Sequence, residues 1–151
     1  MFGYMCELQA GFTVQRSRYM EPEQWSDTAP AEMDMFRTPN TYGYFTLMLK
    51  PINNLSIDLT GNYTGSMLVQ HYAGYVKQDV AVRTQQFFDM GLRVGYNIRL
   101  YTDANLELFG GLKNIFNSYQ SDFDKGADRD SGYVYGPLQP RSAYLGVKIS
   151  F

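Results

Sequence analysis

Hydrophobic and polar residues alternate along several stretches of the chain, most clearly at the C-terminus. From Ser142 to Phe151 the odd-numbered positions hold Ala, Leu, Val, Ile and Phe, while the even-numbered positions hold Ser, Tyr, Gly, Lys and Ser. Successive side chains of a strand point to opposite faces, so the pattern predicts a strand with one apolar and one polar face. A strand of about ten residues can cross a bilayer when tilted, or form the edge of a soluble β-sandwich.

Five earlier stretches alternate in the same way and predict five more strands. They lie at residues 7–15 (with an extension towards 19), 44–49, 55–64, 88–98 and 106–113. No stretch predicts a helix. The sequence therefore predicts an all-β fold of antiparallel, up-and-down strands.

The connections between these six strands alternate in length. Residues 20–40, 66–86 and 117–141 are long loops, whereas Pro51–Asn54 and Tyr101–Ala104 are short turns. Outer-membrane β-barrels sort their connections in this way, with long extracellular loops and short periplasmic turns. The loop lengths thus favour a transmembrane β-barrel over a soluble sheet.

Charged residues of the predicted strands fall on the polar parity. A Lys or Arg facing lipid near the middle of a bilayer costs about 2–4 kcal/mol, so this parity is expected to face the barrel lumen. The candidate lumen-facing residues are Asp58, Asn62, Asp89, Arg93, Glu107, Lys113 and Lys148.

Composition argues against nucleic-acid binding and against a disulfide-stabilised fold. The net charge of −2 and the pI near 5.3 give no basic footprint for nucleic acid. Cys6 is the one cysteine, so no disulfide can form within the chain. Met1–Glu7 has neither the basic region nor the apolar run of a signal peptide. We therefore expect an exported precursor to begin upstream of Met1.

Several sequence blocks resemble the C-terminal part of TonB-dependent outer-membrane receptors. The most specific are Asn114-Ile-Phe-Asn117, the Gly136-Pro to Pro140-Arg141 element before the last strand, and the terminal Phe151. Further blocks are Glu7–Gln15, Phe36–Gly43, Tyr63–Met67 and His71–Gly74. The resemblance covers essentially the whole chain and is closest to Bacteroidetes-type receptors of the siderophore and cobalamin class.

This resemblance implies a roughly 22-stranded barrel in the cell outer membrane, filled by an N-terminal plug domain. Residues 1–151 would be about its last six strands, which are too few to close a barrel alone. The implied partners are the plug, the TonB complex, the barrel-assembly machinery, outer-membrane lipid and a small-molecule ligand such as an iron-siderophore or cobalamin. No cofactor, enzymatic activity or nucleic-acid partner is implied.

The resemblance also suggests roles for individual residues. Tyr144 and Phe151 would belong to the assembly signal in the terminal strand. Ligand contacts would come from the extracellular loops, where the candidates are Trp25, Phe36, His71, Tyr72, Tyr75 and Tyr133.

Asp122, Asp124, Asp128 and Asp130 lie at near-alternate positions, as in calcium loops. The distal Glu of such loops is absent, so we expect no metal site here and instead an ion pair of Asp124 or Asp130 with Arg129. No residues at the spacing of a metal site or a catalytic triad accompany His71 in the sequence.

Two other functions fit the alternating pattern. One is a structural or adhesive outer-membrane barrel without active transport. The other is a soluble β-sandwich binding module.

Deletion of Phe151 in the intact protein is expected to reduce its assembly in the outer membrane, because the terminal strand would lose its recognition signal. Loss of burial alone would be modest, about 1.5–3 kcal/mol for a large apolar side chain. Assembly is measured as heat-modifiable mobility in outer-membrane fractions. Ser150→Ala, on the polar parity, is the control and should assemble normally. Normal assembly without Phe151 would contradict the signal.

Overall fold

The chain folds into β-strands and connecting loops. A computed structural model describes residues 5–101 and 104–151, and no helix occurs in these ranges. The strands are β1 (Met5–Val14), β2 (Arg18–Glu23), β3 (Glu32–Asp34), β4 (Thr41–Ile52), β5 (Leu55–Thr64), β6 (Leu68–His71), β7 (Val80–Arg83), β8 (Phe87–Tyr101), β9 (Ala104–Lys113) and β10 (Ser142–Ser150). The described part of the chain accordingly contains no helix that could cross a membrane.

Six strands form one antiparallel sheet in the order β1-β4-β5-β8-β9-β10. Each pairs with the next in this order, which makes the sheet an up-and-down meander. These are the six strands that alternation predicts, so the all-β, antiparallel prediction is confirmed. Within the described residues the sheet is open, with β1 and β10 as its edges.

The first short connection is tighter than predicted. β4 continues through Pro51, and only Asn53 and Asn54 form the turn. The register shifts between Leu49 and Ile52, and such a bulge accommodates a proline that has no N–H to donate. In the second short connection Tyr101 pairs with Ala104, and residues 102–103 lie outside the described residues.

Two of the predicted long loops contain short strands, which corrects the sequence interpretation. β2 pairs with β3 in one two-stranded sheet, and β6 pairs with β7 in another. β1 also ends at Val14 and does not extend towards Tyr19. Strands of three to six residues carry too little alternation to be predicted locally. The third long connection, 114–141, has no strand.

The two parities of the six strands form two continuous faces of the sheet. Residues paired across antiparallel strands lie on the same face, and one row carries Leu8, Leu47, Leu59, Leu92 and Leu112 on five successive strands. Every charged residue of these six strands falls on the opposite, polar face. They are Glu7, Lys50, Asp58, Asp89, Arg93, Arg99, Glu107, Lys113 and Lys148.

The apolar face is exposed. Leu8 is 66% exposed, Leu145 87% and Val147 59%. The buried hydrophobic cluster instead lies at the other side of the molecule, in the loops and where they meet the sheet: Val69, Phe87, Tyr133 and Tyr135. The sheet therefore presents an uncovered hydrophobic surface.

Aromatic rings lie over glycines on the polar face. A Cβ atom at Gly146 would come within 2.4 Å of the Phe109 ring, and one at Gly111 would meet the Tyr144 hydroxyl at 2.8 Å and the Leu92 carbonyl oxygen at 2.1 Å. Glycine at these positions lets the rings lie flat against the strands. The surface that results is closely packed and contains both charges and aromatic rings.

Replacing Gly111 with Ala is expected to destabilise the protein by about 1–3 kcal/mol, because the new methyl group meets backbone that cannot move aside. The neighbouring Gly91 is a matched control, since its added Cβ would meet the movable Thr60 hydroxyl at 3.0 Å and the Leu112 carbonyl oxygen only at 3.5 Å. Denaturant unfolding in detergent micelles measures both. Equal losses for Gly111→Ala and Gly91→Ala would contradict the packing described here.

Candidate functional site: the loop layer and the polar face

The three long connections, residues 15–40, 65–86 and 114–141, pack together and are called the loop layer below. They join β1 to β4, β5 to β8 and β9 to β10, so in a meander all three leave the same end of the sheet. The short connections leave the opposite end. The predicted sorting of long and short connections is therefore reproduced by the topology.

His71 lies inside the loop layer and links the β6–β7 hairpin to the third connection. Its Nε2 atom lies 2.8 Å from Oδ2 of Asp124, and both side chains are buried. Its ring stacks on Tyr133, with centroids 3.7 Å apart and planes 5° apart. Because His71 and Tyr133 are buried, they offer a ligand no free surface and hold the layer together instead.

Asp122 binds two tyrosines of the third connection. Tyr133 Oη donates to its Oδ2 at 2.7 Å, and Tyr135 Oη donates to its Oδ1 at 2.6 Å. Partial removal from water works to raise the pKa of Asp122, but hydrogen bonds, first those from Tyr133 and Tyr135, outweigh it and lower the pKa below its usual value. Burial and the same carboxylate raise the pKa of Tyr135 to about 12.

Arg37 connects all three parts of the loop layer. Its backbone N–H donates to the Leu68 carbonyl at 2.7 Å, beside the parallel bridge between Phe36 and Leu68. Its guanidinium donates to the carbonyl oxygens of Val134, at 3.2 Å, and Gly132. Arg37 has a left-handed φ of 55°, and these contacts hold that strained conformation.

Carboxylates strengthen the contact between the first two connections. Asp34 accepts from Arg18 at 2.9 Å and from Arg83 at 2.6 Å, and these two hydrogen bonds lower its pKa. Asp79 accepts from the Ser26 hydroxyl and from the Ala73 backbone N–H, both at 2.6 Å, which lowers its pKa as well.

Three predicted ligand contacts come together as an aromatic cluster. The Trp25 ring lies 5.3 Å from Phe36 and 5.8 Å from Tyr72, centroid to centroid, in edge-on geometry. Trp25 Nε1 donates to the Pro30 carbonyl at 3.1 Å, which fixes the indole. Tyr72 and Tyr75 keep about half of their surface exposed. The cluster is partly open to solvent through Tyr72, and its ligand contact stays a prediction.

Arg93 is the centre of an ion network on the polar face. Its Nη1 lies 3.3 Å from Asp58 Oδ2, and its Nη2 donates to Glu107 Oε1. The guanidinium carbon lies 4.9 Å from the centroid of Phe109. Three of the predicted lumen-facing residues, on three adjacent strands, thus form one connected group.

The remaining predicted lumen-facing residues share this face without joining the network. Lys148 is paired in register with Glu107, and Lys113 Nζ lies 5.8 Å from the centroid of Tyr144. Asn62 is paired in register with Asp89. The structure thus places the whole predicted set on one face, while its exposure to a lumen stays a prediction.

The two predicted assembly residues are placed apart. Tyr144 lies on the polar face near Lys113, whereas Phe151 follows β10 and is 97% exposed. No contact within the described residues joins them, and their role in assembly stays a prediction.

The expected pairing of Asp124 or Asp130 with Arg129 is wrong. Asp124 pairs with His71 and accepts the Asp130 backbone N–H at 2.9 Å, while Asp130 accepts the backbone N–H groups of Tyr72 and Gly132. Oδ2 of Asp124 and both carboxylate oxygens of Asp130 accept from donors of the protein, whereas Oδ1 of Asp124 is buried without a partner among the described residues. Among residues 5–101 and 104–151, no group of His, Cys, Asp or Glu is arranged to hold a metal ion.

Two buried amides were not predicted from the sequence. Gln120 is fully buried, donating to the Tyr133 carbonyl at 3.2 Å and accepting the Tyr135 N–H at 2.9 Å. Asn114 has a left-handed φ of 47°, and its Nδ2 donates to the carbonyls of Ser118 and Gln139, both at 2.8 Å. Asn114 belongs to the Asn114-Ile-Phe-Asn117 block and binds Ser118 nearby, but its partner Gln139 and both partners of Gln120 lie 13 to 25 residues away, so local sequence does not indicate the burial of the two amides.

Comparison of the chain with protein-family models, with curated proteins and with solved structures found no match. Its function is therefore argued from its own residues and their arrangement.

Acid is expected to loosen the loop layer through Asp122. The folded-state pKa of Asp122 is lowered, so its stabilising effect is present above its unfolded pKa and is lost as the pH falls through the folded value. Tyrosine near-UV circular dichroism between about pH 5 and pH 2 follows this loss. Asp122→Asn should flatten the acid transition and destabilise the layer by about 1 kcal/mol, since solvent screens this exposed carboxylate.

Asp128→Asn is the control for this experiment, because no hydrogen bond of the Asp128 carboxylate is seen within the described residues and its acid transition should match the wild type. An unchanged transition in Asp122→Asn would show that Asp34, Asp79 or other carboxylates carry the acid sensitivity.

Proposed function

We propose that this chain forms part of the wall of an outer-membrane β-barrel, within a TonB-dependent receptor that imports a scarce ligand such as an iron-siderophore or cobalamin. The observation that carries the proposal is the separation of the two faces of the sheet. All charged residues of the six strands lie on one face, and the other face is hydrophobic and uncovered.

The apolar face has the properties of a lipid-facing surface. It is continuous across six strands, and large side chains such as Leu8, Leu145 and Val147 are exposed on it. Soluble monomers rarely expose so large a patch. A bilayer provides the apolar surroundings that such a face requires and excludes the charges that this face lacks.

The polar face has the properties of a lumen wall. It carries the Arg93 network together with Asp89, Lys113 and Lys148, and many of its side chains have hydrogen-bonding capacity left. In the proposed receptor the plug domain would lie against this face. Hydrogen bonds and ion pairs would then join wall and plug.

The open edges of the sheet support a larger barrel. β1 and β10 each leave one row of backbone N–H and C=O groups without a strand partner among the described residues. In a bilayer such groups must be paired, so spanning sheets close into barrels. Further strands would pair with both edges, and the loop layer would then lie on the extracellular side and contribute Trp25, Phe36, Tyr72 and Tyr75 to ligand capture.

Two other functions are compatible with a sheet that has one apolar and one polar face. A structural or adhesive barrel would have the same lipid-facing surface without TonB-driven import. A soluble β-sandwich would cover the apolar face with a second sheet. The sorting of all three long connections to one end favours a barrel, since a sandwich has no physical reason to sort them.

Lipid-phase quenching tests which face meets the membrane. Cys6 is exposed and would also be labelled, so it is first replaced by Ala in the intact protein. Ile57 and Asp58 are then replaced by Cys one at a time, labelled with a fluorophore and exposed to a quencher confined to lipid. Ile57 lies on the apolar face and Asp58 on the polar face, so only the label at position 57 should be quenched. Leu59 and Thr60 form a second pair that leaves the Arg93 network intact.

Equal quenching within each pair, or quenching only at positions 58 and 60, would refute the barrel wall. Absence of quenching at all four positions, with the protein in the soluble fraction, would favour the sandwich. Ligand-dependent growth that requires TonB separates a receptor from a structural barrel.

A further inference from the structure

A polar notch opens on the polar face of the sheet beneath the third connection. Its volume is about 270 Å³, and its walls include Asn62 from β5, Asp89 from β8, Lys113 at the end of β9 and Gln139 from the third connection. Asp89 and Asn62 also line an adjoining depression of about 280 Å³, which is covered by Gly136 and Pro137 and leads towards the loop layer. The notch is thus a recess of small-molecule size between sheet and loops.

Two opposite charges line this notch without pairing. Neither the carboxylate of Asp89 nor the ammonium group of Lys113 forms an ion pair or a hydrogen bond with any described residue. Elsewhere on the same face, Asp58, Arg93 and Glu107 satisfy one another. A carboxylate and an ammonium group that line one recess without a charged partner can each bind an opposite charge of a ligand.

The ammonium group of Lys113 lies beside the ring of Tyr144. Lys113 Nζ lies 5.8 Å from the centroid of the Tyr144 ring, within the range of a cation–π contact. Tyr144 is in turn fixed over Gly111. Lys113 and Asp89 thus belong to different strands that line the notch, and the ammonium group of Lys113 has an aromatic ring as its neighbour.

The remaining walls are rigid and supply hydrogen bonds. Asn114 is 2% exposed, and its side chain binds the carbonyls of Ser118 and Gln139, which fixes the third connection above the notch. The side-chain amides of Asn62 and Gln139 form no hydrogen bond within the described residues. The side-chain amides of Asn62 and Gln139 and the charged groups of Asp89 and Lys113 thus line the notch, and none of them uses its hydrogen-bonding capacity within the described residues.

We propose that this notch binds a small zwitterionic molecule, or a zwitterionic group of a larger ligand. The ammonium group of the ligand pairs with Asp89, its carboxylate or phosphate pairs with Lys113, and Asn62 and Gln139 bind the atoms between them. The site deepens the proposed function, because a ligand that passes the loop layer of a receptor would meet this wall of the lumen next.

Binding of 5-aminopentanoate to the intact, purified protein tests the notch. Pentylamine and pentanoate, which carry one of its two charges each, are the matched probes, and saturation-transfer NMR at millimolar concentration measures all three. We expect saturable binding of the zwitterion and at least about tenfold weaker binding of each single-charge probe, because each loses one charge-assisted hydrogen bond.

Asp89→Asn and Lys113→Gln should each weaken binding of 5-aminopentanoate by about tenfold or more, since each removes one charge of the notch. Glu7→Gln and Lys50→Gln change charges of the same face outside the notch and should leave binding unaltered. The substitutions are close in size to the native residues, and denaturant unfolding confirms that the variants fold.

Equal binding of all three probes, or equal loss in the control variants, would overturn the zwitterion site. Absence of binding in the wild-type protein would also overturn it, and a notch occupied by a segment of the same protein would give that result. The quenching experiment on positions 57 to 60 is independent of probe binding, so failure of the notch and failure of the barrel wall are distinguishable.

Discussion

The structure depends on one constraint: the side-chain alternation of six strands must stay in register from one edge of the sheet to the other. The leucine row from Leu8 to Leu112 and the ion network around Arg93 are two outcomes of the same register, on opposite faces. A slip of one residue in any strand would move its charges into the apolar face. The hydrophobic rows and the cross-strand charge pairs therefore both disfavour a register slip, and both favour the same strand register.

The loop layer is organised by a different interaction. Connections expose backbone N–H and C=O groups, and when buried these need partners. Gln120 and Asn114 supply such partners from their side-chain amides, while Arg37 supplies them from its guanidinium. The His71–Asp124 pair and the stacked Tyr133 ring close the same small core. A layer held by hydrogen bonds of defined geometry keeps its shape.

The third connection joins these two parts of the molecule. Tyr135 packs edge-on against Phe87, the first residue of β8, and a Cβ atom at Gly136 would meet the same Phe87 ring at 2.6 Å. The chain then passes over Asp89 to Gln139. Residues 135–139 thus link the loop layer to the polar face. In the receptor proposed above, the segment connects the surface where ligand arrives with the wall along which it would travel.

The sequence by itself determined the six long strands, their antiparallel order, the sorting of their connections and the face that carries the charges. Each of these follows from period-two alternation, which is a local property of the chain. Only the tertiary structure decided which loop residues are buried. His71 and Tyr133, which the sequence analysis placed at the ligand surface, are interior. Asp124 pairs with His71 and not with Arg129. The short strands β2, β3, β6 and β7 also escaped prediction. Each of them pairs with another short strand of the same connection, and strands of three to six residues are too short for period-two alternation to stand out from the surrounding loop.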